Sequence, residues 1–194
     1  MQEDNFTHKR RSIRYAGYNY SSSGSYFVTI ATHLRKAIFG RIVNDEMQLN
    51  RLGRIAQEQW FKTARLRPEV ILYEEEFVVM PNHIHGIIHI DNPNESINEE
   101  PMNFLVGAQR RCAPTNDRAI NVAPHSLGAI VRAYKSAVTY AIHTLPNSPH
   151  TPVWQRNYYE HIIVNEKDYQ TISEYIFFNP AKWQEDAEYR AEGR

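Results

Sequence analysis

Apolar positions along this chain recur with two different periods, and the switches between them mark its elements. Tyr26-Phe27-Val28-Thr29-Ile30 is an aromatic and β-branched run bounded by Gly24, which predicts a buried strand. Ile42-Val43 and Met47-Gln48-Leu49 flank Asn44-Asp45, which predicts a short hairpin. Over 50–66, Leu52, Ile55, Ala56, Gln59 and Trp60 fall on one stripe and Pro68 follows, the pattern of a helix. The segment VILYEEEFVV, 70–79, predicts one strand. Pro81 lacks the N–H that a ladder needs, so Met80-Pro81-Asn82 separates it from a second, antiparallel strand, His83 to Ile90.

From Asp91 to about Pro124 no period is sustained, and this stretch reads as an insertion loop. Ser126 can cap a helix reaching His143, with Leu127, Ile130, Val131, Tyr134 and Val138 on its apolar face and Arg132 and Lys135 away from much of it. Beyond the proline-rich 146–152, Val153 to Val164 reads as extended. A helix is predicted from Glu166 to Phe178, with Ile172, Ile176 and Phe177 as its core stripe. Pro180 stops it, because the residue before a proline resists the α region. The order strand, helix, strand, strand, helix, strand, helix predicts an α+β fold, a ferredoxin-like antiparallel sheet with helices packed on one face. The expected division is a basic arm and turn over 1–25, one domain over 26–183 with its insertion at about 91–124, and a charged tail over 184–194.

Composition narrows the function classes. The 194 residues, 42% apolar and 12% aromatic, suffice for one globular core. Lys plus Arg and Asp plus Glu balance at 22 each, so a nucleic-acid partner would need a local basic patch rather than a global positive field. Cys112 is alone, which excludes an intrachain disulfide and a Cys-based zinc cluster and fits a reducing compartment. The opening MQEDNFTHKRRSIR has no apolar segment for a signal peptide, and no run reaches membrane-spanning length. The expectation is a cytoplasmic protein with no membrane partner.

The sharpest chemistry is His83-Ile84-His85. On a strand, residues two apart share a face, so both imidazoles point one way while Ile84 points to the core. Their Cβ atoms lie roughly 6–7 Å apart at the strand rise, a span that two imidazoles can close onto one ion at about 2.1 Å. The same pattern also suits two half-exposed histidines with no ion. His89 shares the face, but about 13 Å from His85 it is too far to join. Two ligands leave open positions, as a catalytic centre requires, and a third must come from elsewhere. The His-Glu-x-x-His pattern of metalloproteases is absent.

On the last helix Tyr175 and Asn179 are four apart and face together. A phenol and an amide oxygen there could meet the same ion. The alternative is that Tyr175 edges the core and Asn179 only caps the helix.

The residues MPNHIHGII and PVWQRNYYEHIIVNEKDYQTISEYIFFNP resemble the HUH-type single-tyrosine transposases, most closely the REP-associated tyrosine transposases. The match is good over 77–90 and 153–183 and moderate over YNYSSSGSYFVTIAT. The resemblance implies that His83 and His85 bind a divalent metal, Mg²⁺ or Mn²⁺, with Asn179 as third ligand, and that Tyr175 is the nucleophile. Some members of the wider class use Gln or His in place of Asn. It also implies packing and DNA-positioning roles for Trp154, Tyr158, Tyr159 and His161.

The implied activity is cleavage and rejoining of single-stranded DNA near hairpins, through a covalent 5′-phosphotyrosine. A free tyrosine ionises near pH 10, so its phenolate at pH 7 costs about 4 kcal/mol, and a bound metal polarising the phosphate is worth several. The candidate phosphate contacts are Arg10, Arg11 and Arg14 in the arm, Arg110 and Arg111 in the loop, and Arg132 and Lys135 on the middle helix. Each of these alone is more often a solvated charge. Competing readings are a hairpin-binding protein without strand transfer, a replication initiator or relaxase-type nickase, and a zinc protein or metallohydrolase on His83 and His85. Tyr158 and Tyr159 are rival nucleophiles, and monomer and homodimer both stay open.

Overall fold

Strand β1 (Gly24–Ala31) lies between two antiparallel neighbours in the computed structural model, which describes residues 18–92, 123–148 and 150–185. One neighbour is β6 (His83–Ile90) and the other β7 (Tyr159–Ile163). The far edge of β6 is shared by two short strands, β4 (Val70–Ile71) at its end and β5 (Phe77–Met80) at its start. With helices α1 (Arg51–Leu66) and α2 (Leu127–His143), this makes a βαββαβ unit in the ferredoxin-like order, β7-β1-β6 and then β5 with β4. A separate hairpin, β2 (Gly40–Val43) and β3 (Glu46–Leu49), turns at Asn44 and Asp45. Their φ angles of 52° and 61° are the two left-handed positions that a two-residue hairpin turn demands.

Helix starts follow side-chain chemistry. Asn50 accepts from the N–H groups of Leu52 and Gly53, Ser126 from Ala129, and Asn165 from Asp168, each filling orphan donors of a first turn. The last of these opens α3 (Glu166–Phe178); Asn179 just beyond it keeps an αR backbone, so Pro180 ends the helix by lacking an N–H for the Ile176 carbonyl, not by the expected exclusion of its preceding residue from the α region.

Alternation along β1 and β6 sends Tyr26, Val28, Ile30, Ile84, Ile88 and Ile90 to the face covered by α1 and α2. Trp60 stacks on Phe77 at 4.6 Å and lies so close over Gly86 that a Cβ there would meet its ring at 2.5 Å. The opposite face is apolar too, through Phe27 and Ile87, and α3 covers it with Ile176. The helices therefore divide, two on one face and α3 on the other, where a single covered face was expected. Two-sided apolarity of the central strands is the reason.

Three further expectations change. The segment 70–79 is not one strand: it is interrupted by a 3-10 turn at Glu74–Glu76, which carries the Glu76 side chain inward toward His89 and Tyr169. Phe177 is not in the core stripe of α3 but is 72% exposed. It sits about 100° around the helix from Ile176, outside the stripe that Tyr169, Ile172 and Ile176 turn to the sheet. Finally, Val153 to Val164 is only partly paired, with a lone bridge between Trp154 and Thr32 before β7 begins. The arm 1–17, most of the insertion loop, 93–122, and the tail 186–194 lie outside the described residues.

Candidate active site

His83 and His85 stand on the α3 side of β6, 0% and 2% exposed, and their Nε2 atoms converge to 2.8 Å. Each ring is held from behind. Asn82 donates through its Nδ2 to the Arg35 carbonyl, so its Oδ1 is the atom facing His83 Nδ1 at 2.8 Å. That Oδ1 can only accept, which places the ring hydrogen of His83 on Nδ1 and leaves a lone pair on Nε2. His85 Nδ1 is 2.8 Å from the hydroxyl of Thr29, its register partner on β1. When His85 donates there, its Nε2 also presents a lone pair. Two lone pairs at this separation repel unless a proton or a cation lies between them.

Aromatic rings close the sides. Phe27 stacks on His85 at 5.4 Å and 25°, and Trp183, just past α3, stands 5.8 Å from His83. From α3 the hydroxyl of Tyr175 reaches His85 Nε2 at 3.2 Å, with the two rings 5.0 Å apart. The nucleophile candidate and the histidine pair of the sequence reading are thus brought together within one chain. Asn179 is buried one turn beyond Tyr175, at the end of α3. The stretch carrying it runs from Tyr175, on His85, to Trp183, beside His83.

This donor set suits a divalent ion. Convergent Nε2 atoms with both Nδ1 positions engaged are the arrangement that orients metal-ligating histidines. Among the described residues no group of three or more His, Cys, Asp or Glu is placed to hold an ion, so further ligands would have to be an amide, solvent or substrate.

The other candidates divide. His89 is tied to Glu76 at 2.6 Å and to Ser25 at 2.7 Å, away from the pair. Tyr158 packs toward the α1 and α2 core, while Tyr159 lies against Phe27 on the α3 side. His161 joins β7 to the first turn of α3 through Asp168 at 2.8 Å, and Trp154 is buried between Phe39 and Tyr134. Arg132 is exposed on α2, in the layer across the sheet from the histidines. Lys135 donates to the carbonyls of Gln155 and Arg156 at 2.6 and 3.2 Å, and burial lowers its pKa to about 8. Arg10, Arg11, Arg14, Arg110 and Arg111 lie outside the described residues.

An uncharacterized protein of Haemophilus influenzae is 41% identical over 182 residues, covering 94% of each chain. The chain belongs to the family of that protein. A solved REP-associated tyrosine transposase bound to a REP hairpin superposes with a TM-score of 0.51 at 20% identity, over 86% of this chain and 72% of that one. This chain therefore has the fold of a tyrosine transposase. No family model matches. No helix among the described residues is long and apolar enough to cross a membrane.

Sequence reasoning missed Thr29, Phe27, Asn82 and Trp183. For Asn82 the signal was adjacency to His83; for Thr29 and Phe27 it lay in strand register, which one sequence does not display. Trp183 lies past the proline that ends α3, and nothing in its own surroundings marked it.

Proposed function

We propose that this chain is a metal-dependent DNA transposase whose nucleophile is Tyr175, cleaving and rejoining single-stranded DNA next to hairpins. The observation that carries the reading is the 3.2 Å approach of the Tyr175 hydroxyl to His85, across 90 residues of sequence, in a transposase-type fold. The neighbour of that fold was solved on a REP hairpin, which supports hairpin DNA as the partner.

In this reading His83 and His85 hold the ion through Nε2, with the amide oxygen of Asn179 as third protein ligand. Imidazole nitrogens favour Mn²⁺ over Mg²⁺, the harder and more oxygen-seeking ion. When bound, the ion supplies Lewis acidity at a phosphate oxygen. Phe27 and Trp183 keep water from the imidazoles. Helix α3 presents the Tyr175 oxygen from a packed element, so little orientation remains to be found at the moment of reaction. Attack forms a Tyr175 O–P bond and breaks the P–O3′ bond; the phenol loses its proton and the departing 3′ oxygen gains one. The product keeps the phosphoester linkage, so a 3′-OH can later displace Tyr175 without ATP.

The test is incubation with hairpin oligonucleotides carrying single-stranded flanks, with Mn²⁺, followed by denaturing electrophoresis and mapping of the DNA-linked residue. A covalent adduct that disappears in Tyr175→Phe is expected. An adduct that survives that change but not Tyr159→Phe would move the nucleophile. Equal hairpin binding by wild type and variant, with no adduct from either, would leave a binding protein without strand transfer.

A further inference from the structure

Glu76 is 2% exposed, yet it sits in a turn at the edge of the sheet and no part of the proposed chemistry uses it. Its two carboxylate oxygens have different partners. Oε2 accepts from His89 Nε2 of β6 at 2.6 Å, and Oε1 accepts from the hydroxyl of Tyr169 on α3, also at 2.6 Å. His89 is fixed in turn by Ser25 at 2.7 Å through Nδ1.

These contacts define how α3 lies on the sheet. It runs antiparallel to β6: Tyr169, near its start, meets the His89 end, and Tyr175, near its finish, meets His85. Between them the buried apolar seat is small, with Phe27, Ile87 and Ile176 at its centre. Apolar contact is non-directional and tolerates sliding or rotation. A hydrogen bond to a carboxylate is short, directional and about twice as strong as a neutral one. Tyr169 and Tyr175 are six residues apart, about 9 Å along a helix, so fixing one sets the depth and rotation of the other.

We infer that Glu76 is the positioning residue for Tyr175, clamping Tyr169 of α3 to His89 of β6 so that the Tyr175 oxygen falls at the histidine pair. This rests on the transposase reading above, but the clamp itself is measurable without DNA.

The experiment compares wild type with Tyr169→Phe, which removes one hydroxyl, and with Glu76→Gln and Glu76→Ala. Amide hydrogen exchange by mass spectrometry reads the docking of α3. Single-turnover adduct formation with Mn²⁺ and hairpin DNA reads positioning, and equilibrium binding of the same DNA reads affinity. In Tyr169→Phe, exchange over α3 should quicken about tenfold while α1 and α2 are unchanged, an opening cost within the worth of one charge-assisted bond. The adduct rate should fall about 10- to 100-fold, the cost of misplacing a nucleophile by an ångström or less, with affinity for DNA within about twofold. Glu76→Gln, which keeps an acceptor, should retain more rate than Glu76→Ala, and should add little to Tyr169→Phe in the double variant. Should Glu76→Ala not fold, Tyr169→Phe alone decides. Unchanged α3 exchange, or faster exchange with an unchanged adduct rate, would overturn the inference. A wild type that forms no adduct defeats the transposase reading instead, and the exchange result still judges the clamp.

Discussion

His83 and His85 turn their Nε2 atoms toward each other at 2.8 Å while Asn82 and Thr29 hold the opposite nitrogens. Removing a group behind a ligating histidine frees the ring to rotate and lowers its basicity, typically at a cost of 10- to 100-fold in metal affinity. Thr29→Val should therefore weaken Mn²⁺ binding by about that factor, measured by titration with electron paramagnetic resonance. Its register partner His85 stays in place on β6, so the helix content should not change. Unaltered Mn²⁺ affinity in Thr29→Val would show that Thr29 does not orient His85 for ligation.

With its ring hydrogen on Nδ1, toward Thr29, His85 Nε2 has one lone pair and two claimants, the Tyr175 hydroxyl at 3.2 Å and the site between the two rings. A neutral imidazole nitrogen cannot serve both at full strength. Tyr175→Phe removes the competitor, so Mn²⁺ should bind as tightly as in wild type or up to about tenfold more tightly, the worth of one net hydrogen bond. Calorimetric titration measures this, and His85→Ala should abolish the binding. If Tyr175→Phe weakens Mn²⁺ instead, the phenol oxygen is itself a ligand.

Much of the candidate site was legible in the sequence, because its parts obey local rules. His-x-His on a strand must share a face, Tyr175 and Asn179 must share a helix side, and Pro180 must end that helix. The cap Ser126 and the Asn44-Asp45 turn were visible for the same reason. What stayed hidden depends on pairing between distant segments. Thr29 meets His85 only through the register of β1 on β6. Glu76 looked like part of a strand until its carboxylate found His89 and Tyr169. The location of α3 on the second face was written in Phe27 and Ile87, whose alternation with Val28 and Ile88 makes both sides of the central strands apolar. Phe177 was misread because its hydrophobicity was weighed without its angle from Ile176.

Gly86 lies on β6 directly after His85, on the face that Trp60 covers. An added Cβ would stand 2.5 Å from Trp60 and 3.1 Å from Phe77, and these rings are stacked on each other with little freedom to retreat. Gly86→Ala should cost about 1–3 kcal/mol of stability, the usual range for overpacking, read as a lowered urea midpoint with an unchanged slope. Stability equal to wild type would mean that Trp60 can rotate away.

Lys135 offers a test that depends on pH alone. Burial lowers its folded pKa from 10.5 to about 8, although its ammonium donates to the carbonyls of Gln155 and Arg156. Those bonds favour the charged form and desolvation opposes it; the direction shows that desolvation prevails. Below pH 8 both folded and unfolded chains carry the proton, and folding bears the full cost of a half-buried charge. Between about pH 8 and 10.5 the unfolded chain binds more protons than the folded one, so stability from this group rises with pH. Lys135→Met removes the charge and that slope. Urea unfolding of both proteins from pH 7 to 10 should show wild type gaining stability relative to Lys135→Met above pH 8, a difference that cancels other groups titrating in the same range. Parallel curves would mean that the ammonium keeps its ordinary pKa, and that its two carbonyl acceptors fully replace the water it has lost.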